Sequence, residues 1–294
     1  MSKIKFSSIE GNRQKLDGGS MFGNAPRALW ERWTKVDELG RIELACRALL
    51  VQYNGLNILF ETGVGAFFEP KMAERFGIES PDRHILLESL DEVGLTHEQI
   101  DFVVLSHLHF DHAGGLLPSY QEIQNGNNNL LFPNAKYIVG QDAWNRAQKP
   151  HSRDRASFIP DLNNKLKASN RLIIVRNNDV PAPLNEILSF YESSGHTPGQ
   201  LISIIKDDRY SMVFCGDLIP GIPWLNPAIT MGYDRYPEML IDEKLALFEQ
   251  LDIEKNYLFF THDINSCCTQ IEKNEKGKWQ SINAKTKINN FTLN

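Results

Sequence analysis

Cysteine is scarce in this chain. Its 294 residues hold four, at positions 46, 215, 267 and 268, without the paired spacing of a zinc ribbon. So few thiols point away from a disulfide framework and fit a reducing compartment. A basic excess is also missing: 31 Lys and Arg stand against 37 Asp and Glu, a formal net charge of −6. Phosphate contacts need a clustered basic surface, so no nucleic-acid partner is expected. No apolar run approaches membrane-spanning length, and the stretch from Met1 to Gly19 carries no hydrophobic signal core. The expected location is the cytoplasm, with no membrane partner. What remains is an ordinary globular composition, 41% hydrophobic and 23% charged, with length for one large α/β domain or two smaller ones.

Histidine is rare as well, with eight in all, yet three of them fall within six positions. They lie in Ser106-His107-Leu108-His109-Phe110-Asp111-His112-Ala113-Gly114-Gly115, directly after an apolar run from Ile100 to Leu105 that reads as a buried strand. A chain leaving a strand in extended form points alternate side chains the same way, so His107 and His109 can grip one ion. The turn that follows brings Asp111 and His112 close enough to hold a second. Gly114 and Gly115 let the backbone bend away. A polar loop that happens to be rich in histidine is the alternative, and the concentration of a scarce residue argues against it.

Along the chain, Ile4 to Ile9 reads as a short strand. Gly18 to Pro26 and Leu29 to Trp33 form an irregular segment too apolar for a solvated loop. It packs on the body, covers a pocket or meets a second subunit, which makes residues 18–36 a candidate lid or homodimer contact. Strands follow from Arg41 to Tyr53 and from Leu56 to Glu61, joined by the hairpin signal Asn54-Gly55. Phe67 to Gly94 has a helical pattern, as does Gln141 to Ala168 with breaks at Pro150 and Pro160. Further strands are expected at Phe132–Val139, Leu172–Val175 and Leu188–Tyr191, and an amphipathic helix from Leu240 to Leu251.

His-X-His-X-Asp-His after a hydrophobic strand resembles the signature of the metallo-β-lactamase fold hydrolases. The full SHLHFDHAGG looks most like their N-acyl-homoserine-lactone lactonase and organophosphate hydrolase branch. The resemblance implies further ligands, and the chain has matching positions: His196 in Gly195-His196-Thr197-Pro198-Gly199, Asp217 after the strand Met212 to Phe214, and His262 after Asn256 to Phe260. It also implies the architecture, an α/β four-layer αβ/βα sandwich forming one domain over residues 1–294. The family usually carries Asp-Thr-Gly at the end of the second hairpin strand, where the carboxylate orients a metal-binding histidine. This chain has Glu61-Thr62-Gly63, one methylene longer; Glu61 is either that orienter or a surface carboxylate.

The expected metal set is therefore His107, His109, Asp111, His112, His196, Asp217 and His262. Nitrogen and carboxylate ligands without thiolate suit two divalent ions, Zn²⁺ first, with Fe, Mn or Co tolerated. Such a dinuclear site activates a bridging water as hydroxide for attack on an ester or lactone bond of a small molecule. Asp111 is the candidate catalytic proton shuttle. Ser106 lacks a nucleophile elbow and is assigned to hydrogen bonding. The apolar stretch Leu218 to Pro227, with Met21, Phe22 and Phe110, is a candidate substrate wall. The homoserine-lactone enzymes carry a tyrosine shortly after the bridging aspartate, and here Pro220 offers no hydroxyl. A phosphotriesterase, a glyoxalase II-type thioesterase and a diiron redox protein of the same fold are the competing readings.

Overall fold

The computed structural model describes residues 3–176, 179–207, 210–251 and 255–293. The chain divides into two compact units. The first comprises Met1–Gln14, Ala45–Asn177 and Asn289–Thr292; the second comprises Lys15–Leu44, Asn178–Ile288 and Leu293–Asn294.

The first unit is built on a six-stranded mixed sheet: β1 (Lys5–Ile9), β2 (Ala48–Tyr53), β3 (Leu56–Phe60), β4 (Phe102–Leu105), β5 (Lys136–Gly140) and β6 (Leu172–Val175), side by side in that order. β1, β2 and β3 run antiparallel, and β3 to β6 run parallel. The hairpin forms where expected: Tyr53 faces Leu56, and Asn54 and Gly55 both take positive φ, 49° and 82°, as a tight primed turn requires. Parallel neighbours need crossovers, supplied by α1 (Ile85–Glu92) before β4 and by α2 (Gln141–Gln148) and α3 (Leu162–Ala168) before β6. Leu86 and Leu90 of α1, Trp144 of α2 and Leu166 of α3 share one core with Leu50, Leu59, Val103 and Val139 of the sheet.

The second unit has its own six-stranded sheet: β7 (Leu188–Ser193), β8 (Gln200–Lys206), β9 (Ser211–Phe214), β10 (Asn256–Phe259), β11 (Cys268–Lys273) and β12 (Trp279–Lys285), again in chain order. Among the described pairs only β9 and β10 run parallel, and the connection between them carries α4 (Pro237–Gln250). Leu240, Leu247 and Phe248 of α4 join a core with Ile202, Val213 and Leu258 of the sheet. Met21, Phe22 and Trp30 belong to this core too. The segment carrying them is not irregular throughout. Gly18–Phe22 and Arg27–Trp30 are short helices, and the Asp17 side chain caps the first by accepting from Ser20 N at 2.7 Å.

Several expected elements are shorter than their patterns. The run from Arg41 to Tyr53 breaks into Arg41–Leu44 and Ala48–Tyr53, with buried Arg47 turned to Glu10 at 2.5 Å. Residues 67–94 contain only the helices Pro70–Arg75 and Ile85–Glu92, because Gly77 and Ser80 take positive φ ahead of Pro81. The expected α/β class and both mixed sheets are present. No helix among the described residues is long and apolar enough to cross a membrane.

Candidate metal centre

Parallel pairing decides what stands beside what at the strand ends of the first unit. Ile58, Leu59 and Phe60 of β3 face Phe102, Val103 and Val104 of β4, and Glu61 N donates to Val104 O at 2.8 Å. Glu61 thus leaves the sheet next to the start of the histidine loop. It does so with φ of 64°, a left-handed conformation that costs a non-glycine residue on the order of 1 kcal/mol or more and persists where the surroundings demand it. Its carboxylate is buried. One oxygen accepts from Ser106 Oγ; the other lies 2.7 Å from His112 Nδ1. Ser106 Oγ in turn lies 2.9 Å from His107 Nδ1. Glu61 is therefore no surface carboxylate: it holds two histidines, one directly and one through Ser106. The extra methylene still allows the reach.

These contacts assign the ring nitrogens. With Nδ1 of His107 turned to Ser106 and Nδ1 of His112 turned to Glu61, the Nε2 lone pair of each is left for another partner. His107 Nε2 lies 2.9 Å from His109 Nδ1, and His112 Nε2 lies 3.7 Å from Asp111 Oδ1. Glu61, His107 and His112 each offer a donor atom within 4.8 Å of the others. Gln14, which nothing in the sequence marked, donates Nε2 to Asp111 Oδ2 at 2.7 Å.

Gly114 and Gly115 serve a different purpose from the expected bend. A Cβ on Gly115 would stand 2.0 Å from Thr62 O, and one on Gly114 2.2 Å from Val64 O. They let the histidine loop lie directly on the 62–65 backbone, an approach fixed by Thr62 N to His112 O at 2.9 Å and Gly115 N to Gly63 O at 3.0 Å.

The second unit gathers the other three expected residues. Phe214 of β9 faces Phe259 of β10, so Asp217 and His262, each three residues further on, leave adjacent strand ends together. His196 arrives on the turn between β7 and β8. The Asp217 carboxylate divides itself: Oδ1 lies 3.1 Å from His262 Nε2 and Oδ2 3.2 Å from His196 Nε2. Asp234, also missed at the sequence level, sits 2.9 Å from His196 Nδ1 and accepts from Met231 N at 2.6 Å. It lies 38 residues beyond its partner, in a loop without periodicity.

The metal implied by this donor set fits what is there. Ligating imidazoles in metalloproteins have the far ring nitrogen held by a carboxylate, carbonyl or hydroxyl that sets tautomer and orientation. His107, His112 and His196 each have such a holder, namely Ser106, Glu61 and Asp234. Nitrogen and oxygen donors without thiolate also exclude the soft-metal classes; Cys215 is fully buried and burial pushes its thiol far up.

Of the expected substrate wall, Met21, Phe22, Leu218, Ile219, Trp224 and Leu225 share the core of the second unit, with Phe22 stacked on Trp224 at 4.7 Å between centroids. Phe110 packs in the first unit instead, against Phe76 at 4.6 Å and Phe68 at 5.3 Å. Within the second unit a cavity of about 420 Å³ is lined by Phe22, Trp33, Trp224, Trp279, His262 and Asp263 among others.

Comparison with known proteins agrees with this chemistry. The family model of the metallo-beta-lactamase superfamily matches residues 41–262. An N-acyl homoserine lactonase of a Bacillus species is 28% identical over 206 residues, covering 68% of this chain and 69% of that protein. The crystal structure of a probable metal-dependent hydrolase from Staphylococcus aureus is 28% identical, covers all of both chains and superposes with a TM-score of 0.83. The dizinc quorum-quenching lactonase AidC, solved with a product, shares the fold at 22% identity, with a TM-score of 0.73 over 96% of this chain and 95% of its own. With three quarters of its length matched and the histidine loop inside the match, the chain belongs to the metallo-beta-lactamase superfamily and to its metal-dependent hydrolases.

Proposed function

We propose that the protein is a dinuclear metallohydrolase that opens an ester or lactone bond of a small molecule. The observation that carries the reading is the division of nitrogen roles described above: in both units the histidines are oriented from behind by protein groups. On this reading His107, His109 and His196 would hold one ion and Asp111, His112 and His262 the other, with Asp217 as a shared ligand. Bound there, two zinc ions would lower the pKa of a shared water to about 7 and polarise the carbonyl under attack.

The chain's own groups do the rest. Gln14 donates to one oxygen of Asp111 and so orients the carboxylate, which takes up the proton released by water and returns it to the departing alkoxide. Glu61 and Asp234 keep the histidines in one tautomer through the cycle. The aromatic cavity beside His262 takes the apolar part of the substrate, and its volume falls in the range of small-molecule sites. The lactonase relatives favour a lactone over a phosphotriester or a thioester. We place the enzyme in the cytoplasm and read residues 18–36 as a flank of the substrate cavity, to which Phe22 and Trp33 contribute.

The test is metal analysis of the purified protein with a panel of lactone, aryl phosphotriester and acyl-thioester substrates. The expected result is about two zinc equivalents and turnover of the lactone. His109→Ala and Asp217→Ala should each lower metal content and abolish turnover while the protein stays folded by circular dichroism. Full hydrolysis with undiminished metal in His109→Ala would overturn the assignment.

A further inference from the structure

The loop that carries His196 leans on α4. A Cβ on Gly195 would stand 2.5 Å from Leu240 Cα, so the loop backbone touches the helix backbone. Tyr236 N donates to Gly195 O at 2.8 Å. One turn further along the helix, Glu243 collects three donors from the residues just before His196: Ser193 Oγ at 2.6 Å, Ser194 N at 2.7 Å and Gly195 N at 3.0 Å. A carboxylate accepting three hydrogen bonds from three consecutive residues has little freedom, and neither do they.

The next residue does the same for a second loop. Leu240, Lys244, Leu247 and Phe248 form the buried stripe of α4, with a fully buried lysine where an apolar residue would be expected. Its Nζ donates to Ile229 O at 2.8 Å and Trp224 O at 3.2 Å. Those carbonyls belong to the loop that ends in Asp234, the carboxylate holding His196 Nδ1. Burial pulls the ammonium down to about 8, and the Asp234 carboxylate acts against that fall.

We propose that Glu243 and Lys244 are positioning residues that fix His196 from two sides: Glu243 through the turn that bears it, Lys244 through the loop that bears Asp234. The proposal rests on His196 being a metal ligand, as in the proposed function. It assigns a task to the one lysine in the helix's apolar stripe.

The test is a stepwise zinc titration of the metal-free, full-length protein against a chromophoric chelator. Variants are Ser193→Ala, Glu243→Gln, Glu243→Ala and Lys244→Met. If the clamp acts on His196 alone, one of the two binding steps weakens and the other does not move. The loss should be graded: a few-fold for Ser193→Ala, and about 10- to 100-fold for the Glu243 variants, the range seen when outer partners of a ligand are removed. Lys244→Met should weaken the same step. A merely structural role would lower the melting temperature of the metal-free protein and move both steps or neither. Two wild-type steps in Glu243→Ala, or equal weakening of both, would overturn the clamp. A wild-type protein that takes up no zinc would overturn the proposed function and the clamp with it; zinc uptake with unaltered Glu243 variants would sink the clamp alone.

Discussion

Replacing Lys244 by methionine should change how stability depends on pH, by an amount that can be worked out. The side chain is fully buried, and desolvation brings its ammonium from the ordinary lysine value of 10.5 to about 8. Each tenfold loss of proton affinity costs about 1.4 kcal/mol, so the charged lysine burdens the folded state by about 3 kcal/mol at neutral pH. Between about pH 8 and pH 10.5 the unfolded chain binds more protons at this site than the folded one, so wild-type stability gains from rising pH there. From about pH 7 to about pH 9.5 the gain is about 2 kcal/mol. Methionine fills the same space without a charge and loses the donors to Trp224 O and Ile229 O, at about 1 kcal/mol each. Near pH 7 the variant should therefore be within about 1 kcal/mol of wild type, the lost bonds being offset by the removed burden. By about pH 9.5 it should have fallen behind by about a further 2 kcal/mol. Urea unfolding of the metal-free proteins at a series of pH values gives the difference directly. Burial raises the pKa of Tyr137, Tyr191 and Tyr257, which opposes the trend at the alkaline end, but those groups are common to both proteins and cancel. A difference that stays constant across the window would refute the depressed lysine.

Glu61→Gln keeps the size of the side chain but cannot accept from both Ser106 and His112, so zinc retention after dialysis against a chelator should fall about 10- to 100-fold. Wild-type retention by mass spectrometry of the dialysed protein would show that Glu61 orients nothing of consequence. Gly115→Ala puts a carbon into Thr62 O, a backbone atom with no room to yield, and should cost about 3 kcal/mol in urea unfolding. A loss under about 1 kcal/mol would mean that the two backbones separate easily.

How much of this was legible in the sequence depends on how local each feature is. The histidine loop is contiguous and follows an apolar run, so its candidate ligands could be named from spacing alone. His196, Asp217 and His262 are each a single residue after a strand, and only the resemblance singled them out. Glu61 could be located but not assigned, since its reach depends on a left-handed backbone angle and on the register of β3 against β4. Gln14 and Asp234 were invisible. Each acts over a long sequence separation from a segment with no period, and nothing distinguishes an orienting carboxylamide or carboxylate from a solvated one until its partner is placed. Lys244 did leave a trace: a charged residue four after Leu240 and three before Leu247 breaks the apolar stripe of an otherwise regular helix. Elements fared similarly. Periodic runs such as α4 were recognised, whereas β11 and β12 carry too weak an alternation to separate from loops, and the helices at Gly18–Phe22 and Arg27–Trp30 are too short for a period to show.

Both units solve the same problem in the same way. A buried imidazole needs a partner for each nitrogen, and a buried carboxylate needs donors for its oxygens. Two parallel strands end at the same level, so residues a fixed number of positions past their ends become neighbours whatever their separation in sequence. β3 and β4 deliver Glu61 beside Ser106 and the histidine loop; β9 and β10 deliver Asp217 beside His262. In each case a carboxylate from one strand meets an imidazole from beyond the other. Strand register and site geometry are then one quantity. A one-residue slip of β9 against β10 would turn its buried Met212 and Phe214 to the opposite face and carry Asp217 away from His262 in the same movement. The hydrophobic faces that hold these strands in register therefore also hold these two side chains in place, which is how a site can be assembled from residues that the chain separates by more than 40 positions.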